Sequence, residues 1–250
     1  MNRDELRSRG GETGPTCHDP GQNPGQNPGQ NDKWIGPLDN DAGGTWIGGN
    51  AHGTIACLLN GYAASDGLGL KRPSRGEIVP SALQHGGYHA VVQWLQRRFD
   101  PRPYASFSVI VAGHGDWVAL RWDGVRLSTE TDASHESDSA VHTSSSWDTA
   151  NVATRRRDAF KAWVAAGKPR TAGVPDFHLI GNGDPMPWTP IMARPGSVTR
   201  SITQLHLADG NMSARYWAVG ETAIDPAHPD VELQLPLAAH RVRAPAQSTS

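Results

Sequence analysis

Two short β-type runs joined by a tight turn constrain this chain more than any other stretch. In AGGTWIGGNAHGTIACLLNGY, residues 42–62, the runs 45–48 and 54–59 flank Asn50-Ala51-His52-Gly53. Aromatic and β-branched residues between Gly and Asn punctuation predict a hairpin, and so antiparallel pairing. The second run is apolar almost throughout, as expected of a strand covered on both faces. The pattern recurs in FSVIVAGHGDWVALRWDGVRLST, where runs 107–112 and 117–122 flank Gly113-His114-Gly115-Asp116 and a third run, 125–129, follows Asp123-Gly124. His114 reads as a turn residue rather than a ligand. Further strands are expected at 188–194, 198–207 and 213–219.

Helical patterns separate these groups. Ser74 and Glu77 have capping-box spacing, and Pro80 predicts a second helix start after a short turn. Tyr88, Val91, Val92, Leu95 and Phe99 then recur at helical spacing and form one apolar stripe. Residues 131–150 are polar and serine-rich. A helix is expected over 151–166, with Val152, Ala159, Phe160, Trp163 and Val164 on one face and Arg155-Arg156-Arg157 on the solvated side. Strands, helices, strands, helix, strands, joined by hairpins rather than βαβ crossovers, predict an α+β fold of antiparallel sheets covered by helices.

The N-terminal region reads differently. Residues 21–31, GQNPGQNPGQN, offer nothing to bury, so residues 1–33 are expected to form a mobile arm. The folded domain is placed at 34–222, with a C-terminal strand or tail over 223–250. A formal charge of −2 in 250 residues gives no field pointing to nucleic acid or an anionic membrane. No apolar run approaches the ~18 residues of a membrane span. Cys17 and Cys57 do not make a disulfide framework, which favours a cytoplasmic address.

No phosphate-binding loop, dinucleotide fingerprint, HExxH or GxSxG is present, and the eleven histidines lack metal-ligand spacing. The SHESD stretch at 134–138 is too weak a pattern to predict a metal, and neither metal nor cofactor is expected. Two polar residues on apolar strands draw notice instead. Asn60 ends the apolar run 55–59, and Arg200 shares a strand face with Val198 and Ile202. A side-chain amide donates to an oxyanion and a guanidinium holds a carboxylate, so both suit acyl transfer. The plainer readings are a turn-forming Asn before Gly61 and an edge-strand Arg facing water, and composition alone favours them.

Three ordered motifs, NRDE at 2–5, GGTWIGGNAHGTIACLLNGY at 43–62 and SRGEIV at 74–79, resemble the NRDE family of transport and Golgi organisation proteins. That family is similar to N-terminal-nucleophile hydrolases of the choloylglycine hydrolase and penicillin V acylase type. The resemblance implies an αββα sandwich, two antiparallel sheets face to face between helical layers. It also implies a catalytic constellation: Asp4 orienting an α-amine, Asn60 donating to the oxyanion and Arg200 completing the site from a late strand. Arg3 belongs to the motif without an assigned role. A further family asparagine falls at Ser144 or Ser145, a departure from the pattern.

The nucleophile departs further. The family sets NRDE after a first strand beginning Met-Cys, and here Met1 abuts the motif, so that strand is expected to be missing. Cys57 reads as a core residue. The resemblance implies amide-bond hydrolysis by a full-length form, with the present chain lacking the nucleophile. The alternative is non-catalytic handling of a small ligand, lipid or haem. The expected partner in either case is a small molecule, not nucleic acid.

Overall fold

The computed structural model describes residues 1–6, 11–19, 33–63, 66, 71–129, 134–136 and 139–238. Strands β1 (Asn2–Leu6), β2 (Glu12–His18), β3 (Trp34–Asp39), β4 (Ile47–Asn50) and β5 (Ile55–Asn60) come first. A 3-10 turn at Arg75–Glu77 leads into α1 (Ile78–Leu83) and α2 (Tyr88–Arg97). Next are β6 (Phe107–Gly113), β7 (Asp116–Trp122), β8 (Leu127–Thr129), β9 (Ser134–Glu136) and β10 (Ser139–Val141). The chain continues through α3 (Thr149–Ala165), β11 (Arg170–Thr171), β12 (Val174–Pro175), α4 (Asp176–Leu179) and β13 (Ala193–Arg194). It ends with β14 (Ser197–Ala208), β15 (Asn211–Ala218) and β16 (Val231–Pro236).

Strands β2 to β8 form a seven-stranded antiparallel meander in sequence order. Strands β1, β14, β15 and β16 form a second antiparallel sheet, with β13 also paired to β14. The expected hairpin is present: Ile47 pairs with Cys57 and Gly49 with Ile55. Its turn is fixed by Asn50, fully buried, whose Oδ1 accepts from the amides of His52 and Thr54 while Nδ2 donates to the carbonyls of Leu83 and Gly86. One side chain thus closes the turn and ties it to the end of α1.

Burial orders the layers. Ile35 and Ala51 of the seven-stranded meander pack on Met212, Ala214 and Leu235 of the second sheet, so the sheets lie face to face. The meander's outer face, including Ala56, Leu58, Val109 and Val111, is covered by Ile78, Val79 and Leu83 of α1 and Val91 and Leu95 of α2. The stripe read from sequence is the face that docks, because Tyr88, Val92 and Phe99 also pack there. On the far side, Ile202 and Trp217 pack against Val174 and Ile191, and Phe160 of α3 meets Phe177 of α4. The result is helix, sheet, sheet, helix. Each layer buries one apolar face against the next, which is the main stabilising term.

The N-terminal expectation needs correcting. Residues 2–6 and 12–18 are not an unfolded arm: β1 pairs with β14 from Asn2↔Ile202 to Leu6↔Ser197, and β2 pairs with β3. The NRDE motif, expected just past a missing strand, is itself a strand of the second sheet. Polar sequence does not prevent this, because the partner strand satisfies the backbone and the facing sheet supplies the burial. The GQNP repeat lies outside the described residues. Pro80 does not restart a helix either; it sits in the first turn of α1, where its missing N–H is harmless. The expected strand at 188–194 is reduced to Ala193–Arg194.

Candidate active site

Arg3 explains why the motif carries an arginine at this position. It faces into the sandwich from β1, with its side chain 9% exposed. It pairs with Glu12 of β2 and with Asp39 of β3 at 3.1 Å, and its guanidinium lies 4.0 Å from the centre of the Trp46 ring. Glu12 also accepts from the Tyr216 hydroxyl of β15 at 2.6 Å. One buried cation therefore joins β1 and β15 of one sheet to β2 and β3 of the other. Planar guanidinium geometry suits two carboxylates and an aromatic face together.

Beside this cluster a cleft of about 1130 Å³ opens. Its walls come from the start of β1, the β3–β4 connection, β5, residues 72–76, β10 with the serines after it, α3, α4 and β14. Six arginines (Arg3, Arg72, Arg75, Arg156, Arg170 and Arg194) and two aspartates (Asp39 and Asp66) line it. A cavity of about 570 Å³ shares Ile55, Ile110, Ala140 and His142 with the cleft wall.

The sequence-derived residues are divided by this geometry. Asn60 lines the cleft at the exposed end of β5, in register with Phe107. A small network sets its position. Gly61 N–H donates to the Ser106 carbonyl, and a Cβ at Gly61 would lie 2.4 Å from Ser106 Oγ. Arg75 donates to the carbonyls of Gly61 and Ser106, and Asp66 accepts from both the amide and the hydroxyl of Ser106. Burial opposes ionisation of Asp66, but those Ser106 bonds, the Ala63 amide and nearby Arg75 hold its carboxyl below the ordinary value. Arg200 does not join Asn60. Ser197 and residues 202–206 of β14 line the cleft, and Arg200 between them does not. The Asp4 backbone pairs with Thr199, and its side chain lies outside the description.

Cys57 is partly buried and lines the cleft instead of lying wholly in the core. Burial pushes its thiol up to about 11, with the chain-start ammonium a smaller opposing influence. A thiol with that value is protonated at neutral pH and is a poor nucleophile. Ser145, one of the two positions (with Ser144) where the resemblance places a departure, is buried in the cleft wall; its hydroxyl donates to the Trp147 carbonyl at 2.6 Å and accepts from Arg194 at 3.1 Å.

Sequence reasoning missed three contributors. Arg156 is buried, not solvated: it donates to the carbonyls of Trp188 and Thr189 and to the Thr143 hydroxyl. Its position, four residues from both Val152 and Phe160, was a readable signal. The pairing of Glu12 with Arg3 had none, and neither did His178, which lies on the four-residue α4 and lines the cleft. Among the described residues no three His, Cys, Asp or Glu side chains gather as a metal site, and no helix is long and apolar enough to cross a membrane.

The family model for transport and Golgi organisation 2 matches residues 1–187, three quarters of the chain. The chain belongs to that family. A comparison with curated proteins finds no matching sequence. Among solved structures, a Caenorhabditis elegans N-acylethanolamine-hydrolyzing acid amidase ortholog is similar over 94% of this chain and 93% of that one, with 14% identity and a TM-score of 0.44. The two motifs GGTW and SRGEIV are joined in space. A Cβ at Gly44 would lie 2.5 Å from the Gly76 carbonyl carbon, and Thr45 N–H donates to the Gly76 carbonyl at 3.0 Å.

Proposed function

We propose that this family member binds a small anionic molecule in the cleft between its sheets. The carrying observation is the lining charge: six arginines against two aspartates in a chain whose formal charge is −2. A concave, partly apolar wall with convergent cations concentrates an anion and fixes its orientation. Arg3 is ion-paired, and Arg75, Arg156 and Arg170 hold protein carbonyls. Arg72, on the Tyr104 carbonyl, and Arg194, on the Ser145 and Ser146 hydroxyls, are held at the wall and partly exposed, so this reading gives the ligand contact to these two. Titrating the fluorescent anion 8-anilinonaphthalene-1-sulfonate into the full chain tests this. Saturable binding should weaken about tenfold or more in Arg72→Gln/Arg194→Gln, the loss expected for charge-assisted contacts. Equal affinity in the double variant would remove the arginines from the reading.

Amide-bond hydrolysis is the second reading, and Asn60 favours it. Its amide is exposed at the cleft, and among the described residues no protein group hydrogen-bonds it. That leaves Nδ2 available to an oxyanion. Cys57, held protonated, does not serve as nucleophile, so the attacking group in this reading is water, whose oxygen bonds the acyl carbon while the C–N bond breaks and the amine leaves with one of its protons. Assaying release of amine from N-acyl amides by wild type and Asn60→Ala tests the point. If turnover occurs, it should fall roughly 10²- to 10³-fold on loss of one oxyanion donor. Turnover unchanged in Asn60→Ala would sink that role.

A further inference from the structure

The asparagine that opens the NRDE motif and a histidine 176 residues away form a reciprocal pair. Asn2 Nδ2 donates to the backbone carbonyl of His178 at 3.0 Å, and Asn2 Oδ1 lies 2.6 Å from His178 Nδ1. These two contacts fix the chemistry without further information. A carbonyl oxygen only accepts, so the amide nitrogen of Asn2 must face it, and its oxygen must face the ring. An amide oxygen only accepts in turn, so Nδ1 must carry the hydrogen. In a neutral imidazole the lone pair then sits on Nε2.

The surroundings of His178 disfavour a second proton on its ring. Burial lowers it well below the ordinary histidine value, and the chain-start ammonium and the Arg170 guanidinium add repulsion against a second proton. Its ring stands edge-on to Phe177, with centroids 5.3 Å apart, and the residue lines the cleft. Among the described residues no group hydrogen-bonds Nε2. The cleft wall is otherwise rich in donors, chiefly arginines, so an acceptor at this point selects for something different.

We infer that Asn2 holds His178 as the Nδ1–H tautomer and so presents Nε2 to the cleft as a hydrogen-bond acceptor for a ligand N–H or O–H group. Asn2 is the positioning residue and His178 the contact. The inference rests on the cleft being a small-molecule site, and it narrows the ligand to an anion that also carries a donor. A carboxylate joined to a secondary amide or an alcohol has that chemistry.

Two measurements on the full chain test it. Long-range ¹H–¹⁵N correlation spectra of the histidine rings report the tautomer directly, without any ligand. His178 should show a protonated Nδ1 and a bare Nε2; a protonated Nε2 in the wild type overturns the inference. Asn2→Ala should lose the single-tautomer signature and Asn2→Asp, which keeps an acceptor oxygen, should retain it. A merely structural Asn2 would move the melting temperature and leave the tautomer in place. The second measurement compares N-benzoylglycine with N-benzoylsarcosine, two carboxylates in which the amide N–H is present or replaced by N–CH3; His178→Ala separates loss of the donor from the bulk of the methyl group. Wild type should prefer the former about tenfold, the scale of one net hydrogen bond, and His178→Ala should bind both alike. Equal binding by the wild type overturns the donor requirement. Binding of neither probe overturns the cleft reading and the ligand half of this inference with it, while the tautomer spectrum still decides the Asn2 half.

Discussion

Replacing Arg3 with alanine should destabilise the fold more than its place in a charged, polar terminus suggests. The side chains of Arg3, Glu12 and Asp39 are 9%, 8% and 14% exposed. Removing one partner from a buried ionic cluster typically costs about 3–5 kcal/mol, because the remaining charge is left desolvated. Loss of the guanidinium over Trp46 adds about 1 kcal/mol. Against this, both carboxylates keep other donors: Asp39 accepts from the amides of Asp41 and Ala42, and Glu12 from Tyr216. The net expectation is therefore near the lower end, about 3–4 kcal/mol. For a chain of this size that is a fall of roughly 6–16 °C in melting temperature. Urea denaturation is the right assay, since guanidinium would screen the ion pairs. Arg3→Met combined with Glu12→Gln and Asp39→Asn should recover most of the loss, because a buried ion cluster replaced as a whole leaves no orphan charge. A loss below about 1 kcal/mol for Arg3→Ala would refute the claim that this cluster joins the two sheets.

Two other outcomes follow from close contacts in the site. Gly44→Ala should destabilise by about 1–3 kcal/mol in the same urea assay, because its Cβ meets the Gly76 backbone rather than a movable side chain, and wild-type stability would contradict the packing of the two motifs. Cys57, with its thiol near 11, should react slowly with iodoacetamide at pH 8, where only about 10⁻³ is thiolate, and faster as pH rises toward 11. Exposed Cys17 serves as the internal reference, and equal rates at pH 8 would contradict the burial of Cys57.

Much of the fold was legible because local signals agreed with tertiary context. The hairpin at 42–62, the helix stripe from Tyr88 to Phe99 and the long β14–β15 hairpin each carry their own period and turn chemistry. What escaped was non-local. Strand β1 is polar and pairs with residues about two hundred positions away, so nothing near it announces a strand. Glu12 matters only because Arg3 and Tyr216 surround it. Arg156 was misread from composition, although its helical phase places it with Val152 and Phe160 on the buried face. The site was legible in part: Asn60 reaches the cleft, as a strand-end amide should, while Arg200 does not line it. Alternation along β14 groups residues by face, but it cannot say which of them border a cleft.

The direct test of the account is the position of an anion bound to the protein. A crystal structure of the chain with 8-anilinonaphthalene-1-sulfonate, at a concentration saturating in solution, should show the sulfonate in the cleft within hydrogen-bonding distance of Arg72 or Arg194. An anion bound only on the outer surface, with the cleft empty, would contradict the reading of this cleft as the functional site.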